Sequence, residues 1–289
     1  MQEDKLAMMR ELVDKLNKAS DTYYNGKAEM MSDHEWDATF DRLKRLEEET
    51  DTILPDSPTA NVSADSIVGE KEEHEYAALS LAKTKSTAEL AKWAEGKPIW
   101  LSWKLDGLTL VVTYDNGKLS KIVTRGNGHI GTNITHLASA IDGILPTISN
   151  TGHIVIRGEA IISYTDFNVF NMEMGEEYAN PRNLASGSLT LKNIDAVKSR
   201  HIRWIPFTLV HTDEDIVTWG KQMAFLEQLG FKTVEHEQII HPTQESIDKV
   251  IQEWTVKLNT FDYPVDGLVI SYDDTIYATS GSVTGHHAT

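Results

Sequence analysis

Lys104 ends the clearest β-strand pattern of the sequence, and Asp106 and Gly107 follow it directly. A lysine amine becomes a nucleophile when neighbouring cations or desolvation lower its pKa from the ordinary value of about 10.4. Lys104 is therefore a candidate covalent nucleophile. The Lys-x-Asp-Gly pattern fixes only three positions, which a chain of this length matches by chance in roughly a few per cent of cases. Asp-Gly is also a common turn signal.

Four further charged residues could complete such a site. Asp106 could contact the amine, a ribose hydroxyl or a metal ion, and Arg125 offers a planar fork for phosphate oxygens or ribose. Glu159 and Asp266 add carboxylates of the kind that bind ribose hydroxyls and divalent cations. Together with Lys104, this set is what nucleotidyl transfer requires. For Glu159, an edge strand explains a charge in an apolar stretch equally well.

The elements that must position these residues follow from periodicity. Residues 99–103 predict a strand that leads to Lys104, and residues 108–114 and 119–124 predict two strands joined by a tight turn at Asp115-Asn116-Gly117. Lys104 and Arg125 lie at the ends far from that turn, so they could approach each other at one edge of the sheet. Strands are also predicted at 153–162, 202–210 and 265–270, and helices at 86–96, 166–174, 216–229 and 245–258. Residues 51–75 read as a linker, and from residue 273 onward no element is predicted.

Residues 1–50 predict a small helical hairpin, whose second helix starts with a capping box of Ser32 and Glu35. Asp33, Trp36 and Asp37 project from one side of that helix because they are three and four residues apart. Two carboxylates beside an indole could hold a cationic ring through charge and cation–π attraction. The alternative is structural: Trp36 is core, Asp33 caps the helix and Asp37 is solvated.

The composition sets limits on the partners. The chain has 289 residues, no cysteine and a net charge of −17, so it contains neither disulfides nor cysteine-ligated zinc. Such a charge repels a phosphate backbone, and binding to nucleic acid needs a local basic patch or another chain. No apolar run of membrane-spanning length and no signal peptide is recognised, which indicates a cytoplasmic protein without a membrane partner.

The motifs, taken in order, resemble the N-terminal half of the NAD-dependent DNA ligases, from about Tyr23 to Tyr272. The shared stretches are Tyr23-Tyr24 with residues 32–37, Asp56-Ser57-Pro58-Thr59, Lys104-Leu105-Asp106-Gly107, residues 124–128 with Gly131 and Thr135, Arg157-Gly158-Glu159, residues 179–183 with Gly187-Ser188-Leu189, and residues 266–270. Their number and order make chance implausible. This resemblance favours ligand binding by Asp33, Trp36 and Asp37 over the structural interpretation.

The resemblance implies an α+β fold in two domains: a helical domain over 1–65 that binds the nicotinamide mononucleotide (NMN) part of NAD, and an ATP-grasp-like nucleotidyltransferase (adenylation) domain over 66–289 with mainly antiparallel sheets. Lys104 would attack the α-phosphorus of NAD and carry AMP, with Asp106, Arg125 and Glu159 as further catalytic residues. Mg²⁺ would bind Asp266 and Glu159. The implied cofactor-binding residues are Tyr24, Asp33, Trp36, Asp37, Ser80, Leu81, Lys104, Arg125, Glu159, Arg182, Phe207 and Asp266. For Leu81 and Phe207, which would pack the adenine ring, core packing is the alternative.

The chain departs from the family at Ser102, Thr190 and Ser271, where members carry glutamate, arginine and lysine. It also ends at Thr289, short of the lysine of a fifth motif and of an OB-fold. We therefore expect either a fragment of a longer ligase or the first subunit of a two-polypeptide bacteriophage ligase. The substrate would be nicked double-stranded DNA, and a second subunit would supply the OB-fold and most DNA contacts. A catalytically weakened NAD-binding or scaffolding subunit and an ATP- or GTP-using nucleotidyltransferase are the alternatives.

Overall fold

The computed structural model describes residues 2–24, 33–50, 52, 54, 57, 58, 69–76, 82–126, 128–174, 178–279, 287 and 288. Helices α1 (Gln2–Tyr24) and α2 (Asp33–Thr50) pack against each other and confirm the predicted helical hairpin. Their shared core contains Met9, Val13 and Leu16 from α1 and Leu43 from α2, each with no exposed surface. The predicted capping box lies partly outside the described residues, because it includes Ser32.

Two mainly antiparallel sheets and the helices packed on them make up most of the described remainder of the chain and confirm the α+β prediction. The first has the order β2 (Ala82–Lys83), β11 (His287–Ala288), β10 (Val265–Tyr272), β3 (Ile99–Leu105) and β9 (His236–Ile239), and only the β2–β11 pair is parallel. Helices α3 (Thr87–Ala94) and α8 (Gln244–Leu258) contact each other and bury Leu90 and Trp254 in the core of this sheet. Helix α3 lies within the predicted helix 86–96, and Ser86 caps it by accepting from the backbone N–H of Glu89.

The second sheet has the order β5 (Lys118–Thr124), β4 (Leu108–Asp115), β7 (Ile154–Ile161) and β8 (Arg203–His211). The β4–β5 turn places Asn116 and Gly117 at φ of 51° and 73°, which is the backbone that the Asn-Gly pair predicts. The larger apolar core lies against this sheet. It is covered by a 3₁₀ helix (Thr135–Ala140) and by α4 (Tyr164–Met174), α5 (Pro181–Leu189), α6 (Ile194–Lys198) and α7 (Trp219–Gln228).

The structure contains short elements where the sequence predicted none. Part of the predicted linker forms β1 (Lys71–Glu73), which pairs with β6 (Ile130–Thr132). After residue 273 the chain forms α9 (Thr275–Thr279) and β11, where no element was predicted. These short elements depend on strand partners far along the chain, which local propensity does not reveal. Among the described residues, no helix is long and apolar enough to cross a membrane.

The position of the predicted nucleophile follows from this topology. Strand β3 belongs to the first sheet and β4 to the second, although only Asp106 and Gly107 separate them. The chain therefore changes sheets directly after Lys104. A side chain at such a junction can be reached by residues from both sheets, and the charged residues predicted for the site come from both.

Candidate active site

Lys104 meets Asp266 at a β-bulge. Strand β10 pairs with β3 at Val265–Leu105 and again at Leu268–Trp103, so Asp266 and Gly267 together lie opposite Lys104 and β10 contains one extra residue there. Gly267 has φ of 137°, a conformation that favours glycine. The bulge brings Asp266 to the nucleophile, and Lys104 Nζ contacts its Oδ2 atom. The two side chains keep 27% and 54% of their surfaces exposed, so a ligand can reach both groups.

Asp106 is held in the junction by two contacts. Its backbone N–H donates to Pro264 O at 2.9 Å, and its Oδ1 accepts a hydrogen bond of 2.6 Å from Arg182 Nη1. Arg182 lies in the first turn of α5, which Asn180 caps by accepting from the N–H of Asn183 at 2.8 Å. The motif Asn180-Pro181-Arg182-Asn183 thus starts a helix whose arginine reaches Asp106.

Glu159 is buried beside this junction, with 7% of its surface exposed. Its Oε1 accepts from Gly107 N at 3.1 Å, and its Oε2 accepts from Thr109 Oγ1 at 2.9 Å. Burial raises the pKa of Glu159 to about 7, while the nearby charge of Arg182 opposes that shift. Glu159 lies on a central strand, and the edge-strand interpretation is wrong, since β7 is paired on both sides.

Arg125 follows β5 and is fixed through its backbone. Its N–H donates to Thr109 O at 3.0 Å, and its carbonyl accepts from Gly128 N at 3.0 Å and contacts His74 Nε2 at 2.9 Å. The positive charge of Arg125 opposes the rise that burial causes in the pKa of Glu159. The structure brings Lys104, Asp106, Arg125, Glu159, Arg182 and Asp266 to one region.

Nothing in the sequence predicted the contacts of Trp103, the residue before Lys104. Trp103 is 4% exposed and donates through Nε1 to Glu235 Oε2 at 3.1 Å, and Lys257 Nζ contacts the other oxygen of that carboxylate at 2.8 Å. The indole also packs against Trp254 and Phe261, with ring centroids 4.5 and 5.0 Å away. The partners are more than 100 residues away along the chain, so no local pattern reveals them.

The remaining predicted ligand residues are only partly described. Tyr24 ends α1, and Asp33, Trp36 and Asp37 lie in the first turns of α2, but their side chains lie outside the described part. Ser80 and Leu81 lie outside the described residues altogether. Phe207 on β8 is half-buried and packs against the core of the first sheet. Its proposed contact with adenine therefore remains a prediction.

The three positions that depart from the family carry no charge here. Ser102 and Ser271 are both 6% exposed. They lie on the same face of the β3–β10 pair as Lys104, because Ser102 pairs with Val269, and Ser271 with Trp100. Thr190 ends α5 and donates to Gly187 O at 2.6 Å.

The carboxylates near Lys104 could bind a metal ion together with substrate phosphates. No group of three or more histidine, aspartate or glutamate side chains able to hold a metal occurs in the part of the chain that the structure describes. Mg²⁺ commonly binds one or two carboxylates together with substrate phosphates. The exposed carboxylate of Asp266 fits that pattern. Both oxygens of Glu159 already accept hydrogen bonds, so it fits the pattern less well.

A lysine where two antiparallel sheets meet, with a paired aspartate and a buried glutamate, defines a nucleotidyltransferase-type domain. Residues 69–287 match the NAD-dependent DNA ligase adenylation domain, and residues 2–63 match the N-terminal NAD⁺-binding domain of DNA ligases. The chain therefore belongs to the NAD-dependent DNA ligase family, as the motifs predicted.

Curated relatives agree with this assignment. A DNA ligase of Lachnoclostridium phytofermentans is 40% identical over 277 residues, which cover 93% of this chain and 42% of that protein. A DNA ligase of Ruminiclostridium cellulolyticum is 38% identical over 283 residues, covering 96% and 43%. One from Leptospira biflexa is 33% identical over 279 residues, covering 94% and 41%. The chain thus spans less than half the length of these relatives.

Proposed function

We propose that this chain performs the self-adenylation step of an NAD-dependent DNA ligase. Lys104 Nζ attacks the α-phosphorus of NAD, a P–N bond forms, and the P–O bond to NMN breaks as NMN leaves. The amine loses its protons to solvent, and AMP remains on Lys104 as a phosphoramidate. The observation that carries this proposal is the position of Lys104 where the two sheets meet, in contact with Asp266 and beside Asp106.

The surrounding residues have separable roles in this proposal. Glu159, in its ionised form, would accept a hydrogen bond from a ribose hydroxyl, and Arg125 would bind ribose or phosphate oxygens. Arg182 orients Asp106 through their 2.6 Å hydrogen bond. Bound Mg²⁺ would neutralise phosphate charge, with Asp266 as its principal protein ligand and Glu159 as the second carboxylate. If Asp266 bound the metal and no longer contacted Lys104, the amine would also be released from its ion pair.

The specificity for NAD would come from the helical hairpin. We assign residues 1–65 to an NMN-binding domain and residues 66–289 to the adenylation domain. In this assignment Asp33, Trp36 and Asp37, together with Tyr24, hold the nicotinamide ring. Ser80, Leu81 and Phe207 would bind the adenosine part. The separate apolar core between α1 and α2 supports an independent helical unit.

The later steps would transfer AMP to a 5′-phosphate at a nick in DNA and then seal the nick. We propose that they need the further domains that longer relatives have, either on the same polypeptide or on a second subunit with an OB-fold. The relatives are more than twice as long as the matched region, which supports this need.

The proposal is tested by comparing dinucleotide and mononucleotide donors. Incubation with NAD labelled on its adenylate should give covalently labelled protein, and labelled ATP should not. Asp37→Ala should abolish labelling by NAD, whereas Asp248→Ala on α8, far along the chain, should not. Labelling by ATP that survives Asp37→Ala would indicate the ATP-using alternative.

A weakened NAD-binding subunit is the second candidate. The uncharged, buried Ser102 and Ser271 beside Lys104 favour it, because they remove two charges from the face that carries the nucleophile. Normal affinity for NAD without any covalent label, even after addition of a partner chain, would support this candidate and contradict self-adenylation.

A further inference from the structure

Residues 71–76, which we call the strap, lie along the second sheet. Their side chains alternate between exposed and partly buried, as those of an extended chain do when it lies on a sheet. The partly buried ones belong to Glu72, His74 and Tyr76. The strap and strand β4 line one small cavity, to which β4 contributes Val111 and Thr113. Val111 pairs with Arg157, so the strap lies on the sheet face that also carries Glu159.

The strap is attached to the sheet near both of its ends. At one end, Glu72 accepts a hydrogen bond of 2.5 Å from Lys121 Nζ on β5. At the other end, the carbonyl of Tyr76 accepts a hydrogen bond of 3.2 Å from Arg157 Nη2 on β7. His74 lies between these two attachments, which hold it against the sheet.

His74 contacts both arms of the loop that follows Arg125. Its backbone N–H donates to His129 O at 2.7 Å, and its ring atom Nε2 lies 2.9 Å from Arg125 O. A carbonyl oxygen can only accept, so Nε2 carries the proton and donates it. One residue thus joins the beginning of the loop to its end.

These contacts fix the backbone of Arg125. Its carbonyl oxygen has two lone pairs, and it accepts from His74 Nε2 and from Gly128 N, the latter at 3.0 Å. The start of the loop is also tight, since Gly126 has φ of 57° and a Cβ atom there would lie 1.9 Å from Ile130 O. Because side-chain rotamers depend on the backbone, this conformation limits where the Arg125 guanidinium can reach.

His74 donates its hydrogen bond without adding a charge to the site. Burial lowers the pKa of His74 below its ordinary value of 6.5, although the carbonyls of Arg125 and Thr124 oppose that shift. The positive charges of Arg157 and Lys121 act in the same direction as burial. At pH 7 and above the ring is therefore mainly neutral, and it keeps its N–H donor.

We propose that His74 is a positioning residue for Arg125 and thereby sets the affinity of the chain for NAD. This inference rests on the proposed function, in which Arg125 binds ribose or phosphate oxygens of NAD. In this role His74 acts through the backbone of Arg125 and not on the substrate. By holding the loop in its binding conformation before NAD arrives, His74 reduces the entropy that binding would otherwise cost.

The test compares variants of the full chain. His74→Leu removes the donor, whereas the side-chain amide of His74→Gln keeps an N–H at a similar reach. Tyr76→Leu is the matched control on the strap, because it removes a ring that stacks on His211 and leaves the contacts of Arg125 intact. The dissociation constant of NAD is measured by calorimetry without Mg²⁺, and labelling of Lys104 by NAD is measured in parallel with Mg²⁺.

We expect His74→Leu to raise the dissociation constant of NAD about tenfold, because a hydrogen bond that orders the site is lost. His74→Gln should stay within about threefold of the wild type. Tyr76→Leu should keep the wild-type dissociation constant even where its melting temperature falls. Labelling at saturating NAD should change little in all three variants, since loss of ground-state binding raises KM and leaves kcat unchanged.

A double-variant cycle separates positioning from a general loosening of the fold. In the Arg125→Ala background, His74→Leu should no longer weaken NAD binding, because the side chain that it positions is absent. A merely structural role of His74 would weaken NAD binding by the same factor in both backgrounds.

The proposal would be overturned by an unchanged dissociation constant in His74→Leu, by an equal loss in Tyr76→Leu or His74→Gln, or by a loss that persists in the Arg125→Ala background. A wild type that binds NAD, with the predicted pattern among the variants but no covalent label, would instead count against self-adenylation. The role of His74 in NAD binding would then stand. The two failures are therefore distinguishable.

Discussion

Lys104 and Asp266 form an ion pair across β3 and β10, although 162 positions separate them in the chain. The Asp266-Gly267 bulge adds one residue to β10 opposite Lys104 and brings the carboxylate to the amine. The carboxylate therefore contacts the atom that acts as nucleophile in the proposed reaction. In that reaction we expect this contact to break before the amine attacks.

We predict that Asp266→Asn raises the Mg²⁺ concentration needed for half-maximal labelling of Lys104 by about tenfold or more, because a metal ligand is lost. The measurement is the initial labelling rate at saturating NAD over a Mg²⁺ titration. Asp248→Asn is the matched control, since it removes a carboxylate from α8 only. A lower rate at unchanged Mg²⁺ dependence would assign Asp266 to positioning Lys104 alone.

Glu159→Gln should separate activity from stability. The variant should lose about a hundredfold or more in labelling rate, because the neutral amide replaces an ionised acceptor in the site. Burial raises the folded-state pKa of Glu159 from its ordinary value of 4.5 to about 7. Ionisation therefore costs stability as pH rises through that range, and glutamine does not ionise.

The stability of Glu159→Gln relative to wild type should consequently rise between about pH 5 and 8, by an amount on the order of 1–3 kcal/mol. Denaturant unfolding at both pH values measures it. Glu253→Gln, on the exposed face of α8, should show no such trend. Parallel stability curves for wild type and Glu159→Gln would show that Glu159 ionises normally.

Gly107→Ala should disrupt the junction between the sheets. A Cβ atom there would lie 2.2 Å from Ala160 O and 2.5 Å from Ile161 Cγ2, so β4 and β7 must move apart. We expect a loss of about 1–3 kcal/mol in unfolding free energy and slower labelling of Lys104. Gly96→Ala meets no atom within 4 Å but has φ of 73°. It should lower stability and leave labelling of the folded protein unchanged.

His153 gives a pH-dependent contribution at the far end of the second sheet. The hydrogen bond to Asp115, at 2.7 Å, raises the pKa of His153, and Glu75 on the other ring nitrogen adds to the shift. Because the pKa is raised in the folded state, protonated His153 stabilises the fold at pH values below the unfolded-state pKa of about 6.5. This stabilisation is lost as the pH rises through the folded-state pKa.

His153→Gln should therefore lower the melting temperature more at pH 6 than at pH 9. His241→Gln, at an exposed position before α8, is the control and should lower it equally little at both. A melting-temperature loss for His153→Gln that is the same at both pH values would contradict protonation as the source of stability.

Local signals in the sequence predicted the separate pieces well. The Asn116-Gly117 turn, the helix at 86–96 and the strand that leads to Lys104 are all confirmed, because each depends on neighbouring residues. The contacts of Arg182 with Asp106 and of Trp103 with Glu235 span 76 and 132 positions. Such contacts follow from tertiary packing. The motif resemblance named Arg182 and Asp106 as site residues without predicting their contact, and nothing indicated the contact of Trp103 with Glu235.

The sequence also did not predict that the chain passes from one sheet to the other at Asp106-Gly107. Two apolar strands separated by two residues predict a hairpin as readily as a crossing between sheets. The clash that any side chain at Gly107 would make with β7 is the physical reason for glycine there. This clash can be recognised only from the position of β7 in the folded chain.

In the proposed reaction Lys104 itself carries AMP. This is tested by the mass of the intact chain after incubation with NAD and Mg²⁺, followed by peptide mapping of the modified residue. We predict the mass of one AMP added, located on Lys104, and none on Lys104→Arg, which keeps the cation opposite Asp266. An unmodified wild-type chain, or a label that persists in Lys104→Arg, would show that Lys104 does not carry AMP.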